Sequence, residues 1–396
     1  MNCKICNSES LFSGLNMGLM PIGESVLKEK QSNLKLLDTH MMICNACGLG
    51  QLSVDASRED MFVHYTFKTS ESQSFLNHAS KYVTDVINKY NITKDDWVLE
   101  IASNDGYMLK IFKEHGIDAL GVDPAKNIAM YAICDGLPTI ADFFDSSLAK
   151  EILRIKGHPK LIIANNVMAH VPHISDFMNG ISILCNDETI VSVENPSIMN
   201  VLQKDQFDTV YHGHYSYLSC NSVSMLAKKF GLSLFNVEEV PVHGISNRYW
   251  LSKTKQRKEI VNDTIKYEIA YGLYDNKAWS NYQDNLKIKI NNFHNKVHRL
   301  NESGKKISGY AASSKCTMLL NFAKIDSRWI TKVADDMLEK QGCFIPGLNT
   351  PITSMEDVLK DNPDEIIIFS WNIYDEIVAK LKLSGYNGNT WKWDDK

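Results

Sequence analysis

Val98-Leu-Glu-Ile-Ala-Ser-Asn-Asp-Gly-Tyr107 reads as an apolar strand that ends on an acid and breaks into a turn of small residues, from which a helix opens. Working outward, an amphipathic helical pattern at 78–90 precedes the strand, and a helix at 106–115 follows it. Next come a strand at Ala119-Leu-Gly-Val122, a helix at 125–134 and a strand at Leu161-Ile-Ile-Ala164. Later strands at Thr189–Val193 and Leu232–Val237 extend the series. Apolar strands separated by helical patterns predict a parallel sheet with helices on both faces. In such a fold the turn after each strand lies at the carboxyl edge of the sheet, where ligands bind. The Gly-x-Gly-x-x-Gly fingerprint of dinucleotide folds is absent, which argues against a nicotinamide-linked oxidoreductase.

The residue types along that edge suit an adenosyl ligand. Glu100, Ala102, Asn104 and Gly106 form the first turn, and Asp123 in Gly121-Val-Asp-Pro124 tips the second strand with a carboxylate able to take two ribose hydroxyls. Asp142 and Phe143 in Ala141-Asp-Phe-Phe144 offer an acid and a ring near where an adenine would lie. Asn165-Asn-Val-Met-Ala-His-Val-Pro-His173 follows the strand at 161–164, adding Asn166 and His170 to the same edge. Further on, Phe207-Asp-Thr-Val-Tyr-His-Gly-His-Tyr215 places Tyr211, His212 and His214 within four residues, and an imidazole is the natural general base near neutral pH. Pro241-Val-His-Gly244 adds His243, and the guanidinium of Arg248 suits a phosphate or carboxylate.

Cys3-Lys-Ile-Cys6 and Cys44-Asn-Ala-Cys47 are two CxxC knuckles, a soft four-thiolate set for Zn²⁺. Four protein ligands close the shell, so the metal is expected to be structural. The organisation expected is a zinc-binding domain and linker over 1–75, the α/β domain over 76–254, a helical connection over 255–305 and a second, smaller Rossmann-like α/β domain over 306–396. In the last, Ile307–Tyr310 and 365–369 read as strands, and 314–323 and 354–360 as helices.

Composition narrows the partners. The 396 residues are 44% hydrophobic and carry a formal net charge of −5, with no basic stripe to expect nucleic acid or a membrane surface. No apolar run approaches the ~20 residues of a membrane span, and Met1-Asn-Cys-Lys-Ile-Cys6 leads straight into the first knuckle without signal-peptide features. A cytoplasmic protein, monomeric or a small homo-oligomer, is expected. The other five cysteines (Cys134, Cys185, Cys220, Cys316, Cys343) are scattered singly, without a disulfide framework.

Taken in order, these motifs resemble the sugar C-methyltransferase family that makes branched-chain deoxysugars, over essentially the whole chain. The matching segments include the CxxC pairs with Gly48-Leu-Gly-Gln-Leu52, Glu100–Gly106, Asn166–Pro172, Tyr211–His214, His243-Gly244 and, in the last third, Lys340-Gln-Gly342, Pro346-Gly347, Pro351-Ile352 and Trp371-Asn372. The resemblance implies a zinc-binding domain, a Rossmann-type methyltransferase domain that uses S-adenosylmethionine (SAM), and a Rossmann-like C-terminal domain. It also implies methyl transfer to the carbon beside the ketone of a nucleotide-linked 4-keto-deoxyhexose, usually C3. By position His214 resembles the base, with His170, Tyr211 and His243 as orienting or oxyanion groups. Tyr65 resembles the part that closes over the sugar, and Lys315 and Lys340 its phosphate contacts. The sequence departs from the family pattern twice. Where the family reads Tyr-x-Glu-His, this chain has Gly213, so a carboxylate beside the base is missing unless His212 serves instead. Ala102 stands where glycine is usual. The first departure keeps open methylation of another acceptor, such as an oxygen or a modified sugar, and more remotely a non-catalytic protein that binds zinc and SAM.

Overall fold

The structure is a computed structural model and describes residues 1–30, 34–58, 61, 68–241 and 244–395. Three sheets organise it. The first is antiparallel, β1 (Leu11–Met20), β2 (Leu37–Cys44), β3 (Gly50–Leu52) and β9 (Ser216–Tyr217), in that order. Its fourth strand comes from within the next domain's sequence, starting two residues after His214, and pairs through Gly50–Tyr217 and Gln51–Ser216. The CxxC spacing gave no hint of these strands, because it speaks only of metal ligands.

The central sheet holds β4 (Trp97–Ile101), β5 (Asp118–Val122), β6 (Thr139–Ile140), β7 (Leu161–Asn165), β8 (Ile190–Pro196), β10 (Ser233–Val240) and β11 (Ser246–Ser252). Its order is β10-β11-β8-β7-β4-β5-β6. The strand read from Val98–Ile101 sits near its middle and is buried throughout, as a run without polar alternation requires. The sheet is mixed and not purely parallel: β11 runs antiparallel to both β8 and β10. Its alternation of Ser, Arg and Trp had not stood out as a strand. Helices at Gln73–Tyr90, Tyr107–Glu114, Lys126–Cys134, Ser146–Lys156, Ile174–Leu184 and Cys220–Lys229 flank the sheet.

The segment expected to be a helical connection forms two helices, Glu259–Tyr271 and Asn276–Glu302. The longer buries Trp279, Tyr282, Leu286, Ile290, Phe293 and Val297, an i, i+3/i+4 stripe. That stripe joins Leu15, Met17 and Met41 of the first sheet to Ile307 and Ile330 of the third in one core, so the helix is a shared spine. Gln283 clamps it to β1, accepting from Asn16 N–H at 2.9 Å and donating to Asn16 carbonyl at 2.7 Å. The third sheet is parallel, β12 (Ile307–Tyr310), β13 (Val333–Ala334), β14 (Ile352–Thr353), β15 (Glu365–Ile368) and β16 (Asn389–Trp391), ordered β14-β13-β12-β15-β16. Among the described residues no helix is long and apolar enough to cross a membrane.

Candidate active site

The carboxyl edge of the central sheet opens into a cavity between the domains. Its floor is the turn after β4. Ala102 and Asn104 line it in left-handed conformations, with φ of 61° and 51°. Asp123, at the tip of β5, lies opposite and accepts the backbone N–H groups of Asn104 and Ala125, each at 2.9 Å. Burial pushes its carboxyl up to about 6. Those two bonds use one lone pair on each oxygen and leave acceptor capacity for hydroxyl groups of a ligand.

Not every expected cofactor contact reaches the wall. Glu100 lies beneath the turn, nearly inaccessible, with its carboxyl raised well above the usual range by burial and then by repulsion from Asp123 and Asp105. Gly106 caps the helix behind it at φ 80°, where a Cβ would strike Ala132 and Leu137, so glycine is needed there for helix packing and not for a ligand. Asp142 is exposed and off the wall, whereas Phe143 lines the cavity beneath the Arg58 guanidinium, 4.3 Å from the ring centroid. Asn166 lines it at φ 53°, beside Asn165 of the same motif and Asn195, which sequence reasoning missed. Side-chain oxygens of all three asparagines are buried without a partner among the described residues. Such groups are costly unless a ligand takes them, and they fit the polar ends of a SAM molecule. A strap closes one side: Thr69 N–H donates to Asn104 at 2.8 Å and Ser70 N–H to Asp105 at 3.2 Å.

Ala102 is strained, since a left-handed backbone is disfavoured for a residue with a Cβ. Ala102→Gly is therefore expected to stabilise the protein by about 1 kcal/mol, seen as a rise in thermal midpoint. A fall would mean that the methyl group's packing outweighs the strain.

At the other end of the cavity three proton-handling groups meet. His214 is buried, with Nδ1 at 2.8 Å from the Thr209 carbonyl and Nε2 at 3.0 Å from the Tyr211 hydroxyl. A carbonyl can only accept, so Nδ1 carries a proton, and in the neutral ring Nε2 receives the Tyr211 O–H. The two rings stack at 4.1 Å. His170 stands 4.6 Å from His214, ring to ring, and donates from Nδ1 to the Gly213 carbonyl at 2.7 Å. Burial brings its pKa down to about 4, which keeps the ring neutral at physiological pH. His170 is remote from the other two in sequence, and the fold brings it onto the Tyr211–His214 turn.

His212 does not join them. It faces the first sheet, fully buried, with Nε2 at 3.0 Å from Thr39 Oγ1, and burial lowers its pKa. It cannot stand in for the absent family carboxylate, because adjacent residues of this turn point into different domains. Arg248 and Lys340 stand apart from the cavity as well. Arg248 holds Glu194 at 2.7 Å and covers the Tyr82 ring, while Lys340 donates to Asp335 at 3.2 Å and to the Ala312 carbonyl at 3.0 Å; neither lines the cavity. Lys315 does line it, 3.1 Å from Asn372 Oδ1 and 5.1 Å from the Trp371 ring centroid. Burial lowers its pKa against the pull of Asp208. Tyr65 and His243 lie outside the described residues.

The thiols of Cys3, Cys6, Cys44 and Cys47 lie within 4.8 Å of one another, with Cys3–Cys47 and Cys6–Cys44 at 3.5 Å. A tetrahedron with Zn–S bonds of ~2.3 Å has edges of about 3.8 Å, so the set fits zinc. The knuckles are built into the core of the central sheet's domain, packed with Phe177, Leu218 and Cys220. Ser219 and Asn221 donate to the Cys47 carbonyl at 3.3 and 3.4 Å.

Three family models divide the chain among them: a zinc binding domain over residues 3–62, a methyltransferase domain over 75–237 and a C-methyltransferase C-terminal domain over 241–392. The chain is a SAM-dependent methyltransferase. It is 28% identical to the C-methyltransferase NovU of Streptomyces niveus over 391 residues, 98% of this chain and 93% of that protein. Among solved structures, the magnesium protoporphyrin IX methyltransferase of Synechocystis is 11% identical, matching 45% of this chain and 83% of that one at a TM-score of 0.36. The PH0226 protein of Pyrococcus horikoshii is 13% identical, matching 48% and 95% at 0.37. These two likenesses are too slight to carry argument. The four-cysteine cluster of this methyltransferase is its zinc-binding site.

Proposed function

We propose that the enzyme methylates the carbon beside the ketone of a nucleotide-linked 4-keto-deoxyhexose, at C3, through an enolate. The observation that carries this reading is the Tyr211–His214 pair, a neutral base capped by a hydroxyl, on the wall of the cavity that also contains the turn after β4. SAM supplies an electrophilic methyl group when bound. Ala102, Asn104, Asp123 and Asn166 hold it in this proposal.

A C–H beside a carbonyl is acidic because its electron pair delocalises into the ketone, so removing that proton creates a carbon nucleophile. The sugar's proton passes to the Tyr211–His214 pair, with Nε2 of His214 its final holder and Nδ1–H still donating to Thr209. The Tyr211 hydroxyl, on the cavity wall, serves as the donor that an enolate oxygen needs, and His170, its one N–H held by the Gly213 carbonyl, orients the cluster beside it. Arg58, Thr69 and Phe75 shut water from that side, protecting a carbanion that solvent would quench. Lys315, at the start of the helix Ser314–Ala323, faces the cavity from the C-terminal domain and holds a nucleotide phosphate.

Incubation with SAM and a dTDP-4-keto-6-deoxyhexose in heavy water tests the reading by mass spectrometry. A carbon-linked methyl is the expected result. Deuterium exchange without methyl gain would keep the base and reject the sugar. Methyl gain on an oxygen, or neither change with SAM still bound, would overturn carbon methylation.

A further inference from the structure

Gly213, the position between His212 and His214, is crowded. A Cβ built there would fall 1.7 Å from Oε1 of Glu24 and 2.7 Å from its carboxyl carbon, with Met61 Cε next at 3.0 Å. Gly213 is not among the residues of positive φ, so its backbone asks for no glycine. What excludes a side chain is Glu24 itself. Glu24 lies in the turn after β1, in the zinc-binding domain, where a Cβ built on the neighbouring Gly23 would meet Ser314 Cβ at 3.4 Å and Tyr211 Cβ at 3.5 Å. Its carboxyl faces the Gly213 backbone, which favours the charged form, yet neither buried oxygen completes a hydrogen bond among the described residues. A carboxylate so poorly satisfied in such a place is costly and needs a reason.

Its surroundings supply one. The Gly213 carbonyl, on the same residue, receives His170 Nδ1–H. Tyr217, whose own ionisation Glu24 disfavours, presses its ring edge-on to His214 at 5.9 Å. Both catalytic rings lean their Nδ1 atoms on neutral carbonyls, those of Thr209 and Gly213. Yet the proposed chemistry ends with a positive imidazolium on His214, which a buried site stabilises poorly without a nearby anion. Two other titratable groups of the same stretch are turned to partners elsewhere: Asp208 accepts Trp371 Nε1–H at 2.8 Å and faces Lys315, and His212 is held by Thr39.

We propose that Glu24 is the positioning residue of the proton-handling cluster: reaching across from the zinc-binding domain, it fills the space of a residue-213 side chain, fixes the Gly213 peptide that aims His170, and supplies the negative charge that favours the imidazolium of His214. The carboxylate missing from Tyr211-His-Gly-His214 is thus replaced in space from a different domain. Burial raises the Glu24 carboxyl to about 7, so its charge is present above that pH and lost below it.

The inference rests on the proposed base, and two readouts keep its failure separate from that of the sugar assignment. In the ligand-free full-length protein, the imidazole titrations of His170 and His214 are followed by NMR in the parent and in Glu24→Gln, which keeps shape and removes charge. The His214 titration is expected to move to lower pH in the variant; unchanged titrations would overturn the proposal whatever the substrate. In the methyl-transfer assay, Glu24→Gln is expected to lower kcat about tenfold, less than loss of an acid–base group itself, leave KM for SAM unchanged and remove the inflection near pH 7. Glu24→Gly combined with Gly213→Glu, which returns a carboxylate to the same space, is expected to recover much of the activity that Glu24→Gly loses. A double variant no better than Glu24→Gly, with zinc content intact, would also overturn it.

Discussion

His214→Ala is expected to lower methyl transfer by about 10²–10⁴-fold, the span of a positioned acid–base group. SAM affinity should stay near parental, since the ring is anchored to Thr209 and Tyr211, stacks on the Tyr211 ring and bonds no residue of the turn after β4 in the contacts described. Because Nε2 accepts the Tyr211 hydroxyl proton, losing it also deprives that hydroxyl of its base. Steady-state kinetics and calorimetric SAM binding would check this together. Turnover within tenfold of the parent would remove His214 from the base's role, and weakened SAM binding would mean that the ring shapes the cofactor's site as well.

Cys44→Ser is expected to have the largest structural effect. Zinc contributes folding energy outright at a closed thiolate site, and three ligands hold it far less firmly than four. The damage should not stay local. Cys44 ends β2, Cys47 carries the carbonyl that Ser219 and Asn221 hold, and β3 pairs directly with β9, two residues beyond His214. Loss of zinc should therefore loosen the Tyr211–His214 turn, so metal content, thermal midpoint and turnover fall together. A variant with full zinc content and unchanged melting would show that Cys44 is not a ligand.

The central sheet was legible because its strands are continuous apolar runs at 97–101 and 161–164 cut off by small polar turns, a signal that burial on both faces writes directly into sequence. The first sheet was not: β1 contains Gly14 and Gly18, and β9 is two residues long and pairs with β3 about 165 positions earlier in the chain. Within the site, residues on one turn could be proposed from sequence, as Tyr211 and His214 were. Which way each side chain points could not, and His212 points to Thr39. Arg248 looked free to meet a phosphate because Glu194, its buried partner, lies on a different strand. Glu24 carried no signal at all in a stretch of Gly, Met and Pro; the only trace was a side chain absent from position 213.

The pairing of β3 with β9 sets a limit on recombination. Exchanging the first 62 residues for those of a relative would put a foreign strand against Ser216–Tyr217 and a foreign residue against Gly213 at one stroke. Residues 1–30, 34–54 and 207–221 meet in space although the chain separates them, and a chimera that crosses over between them joins halves of two different proteins at the Tyr211–His214 turn.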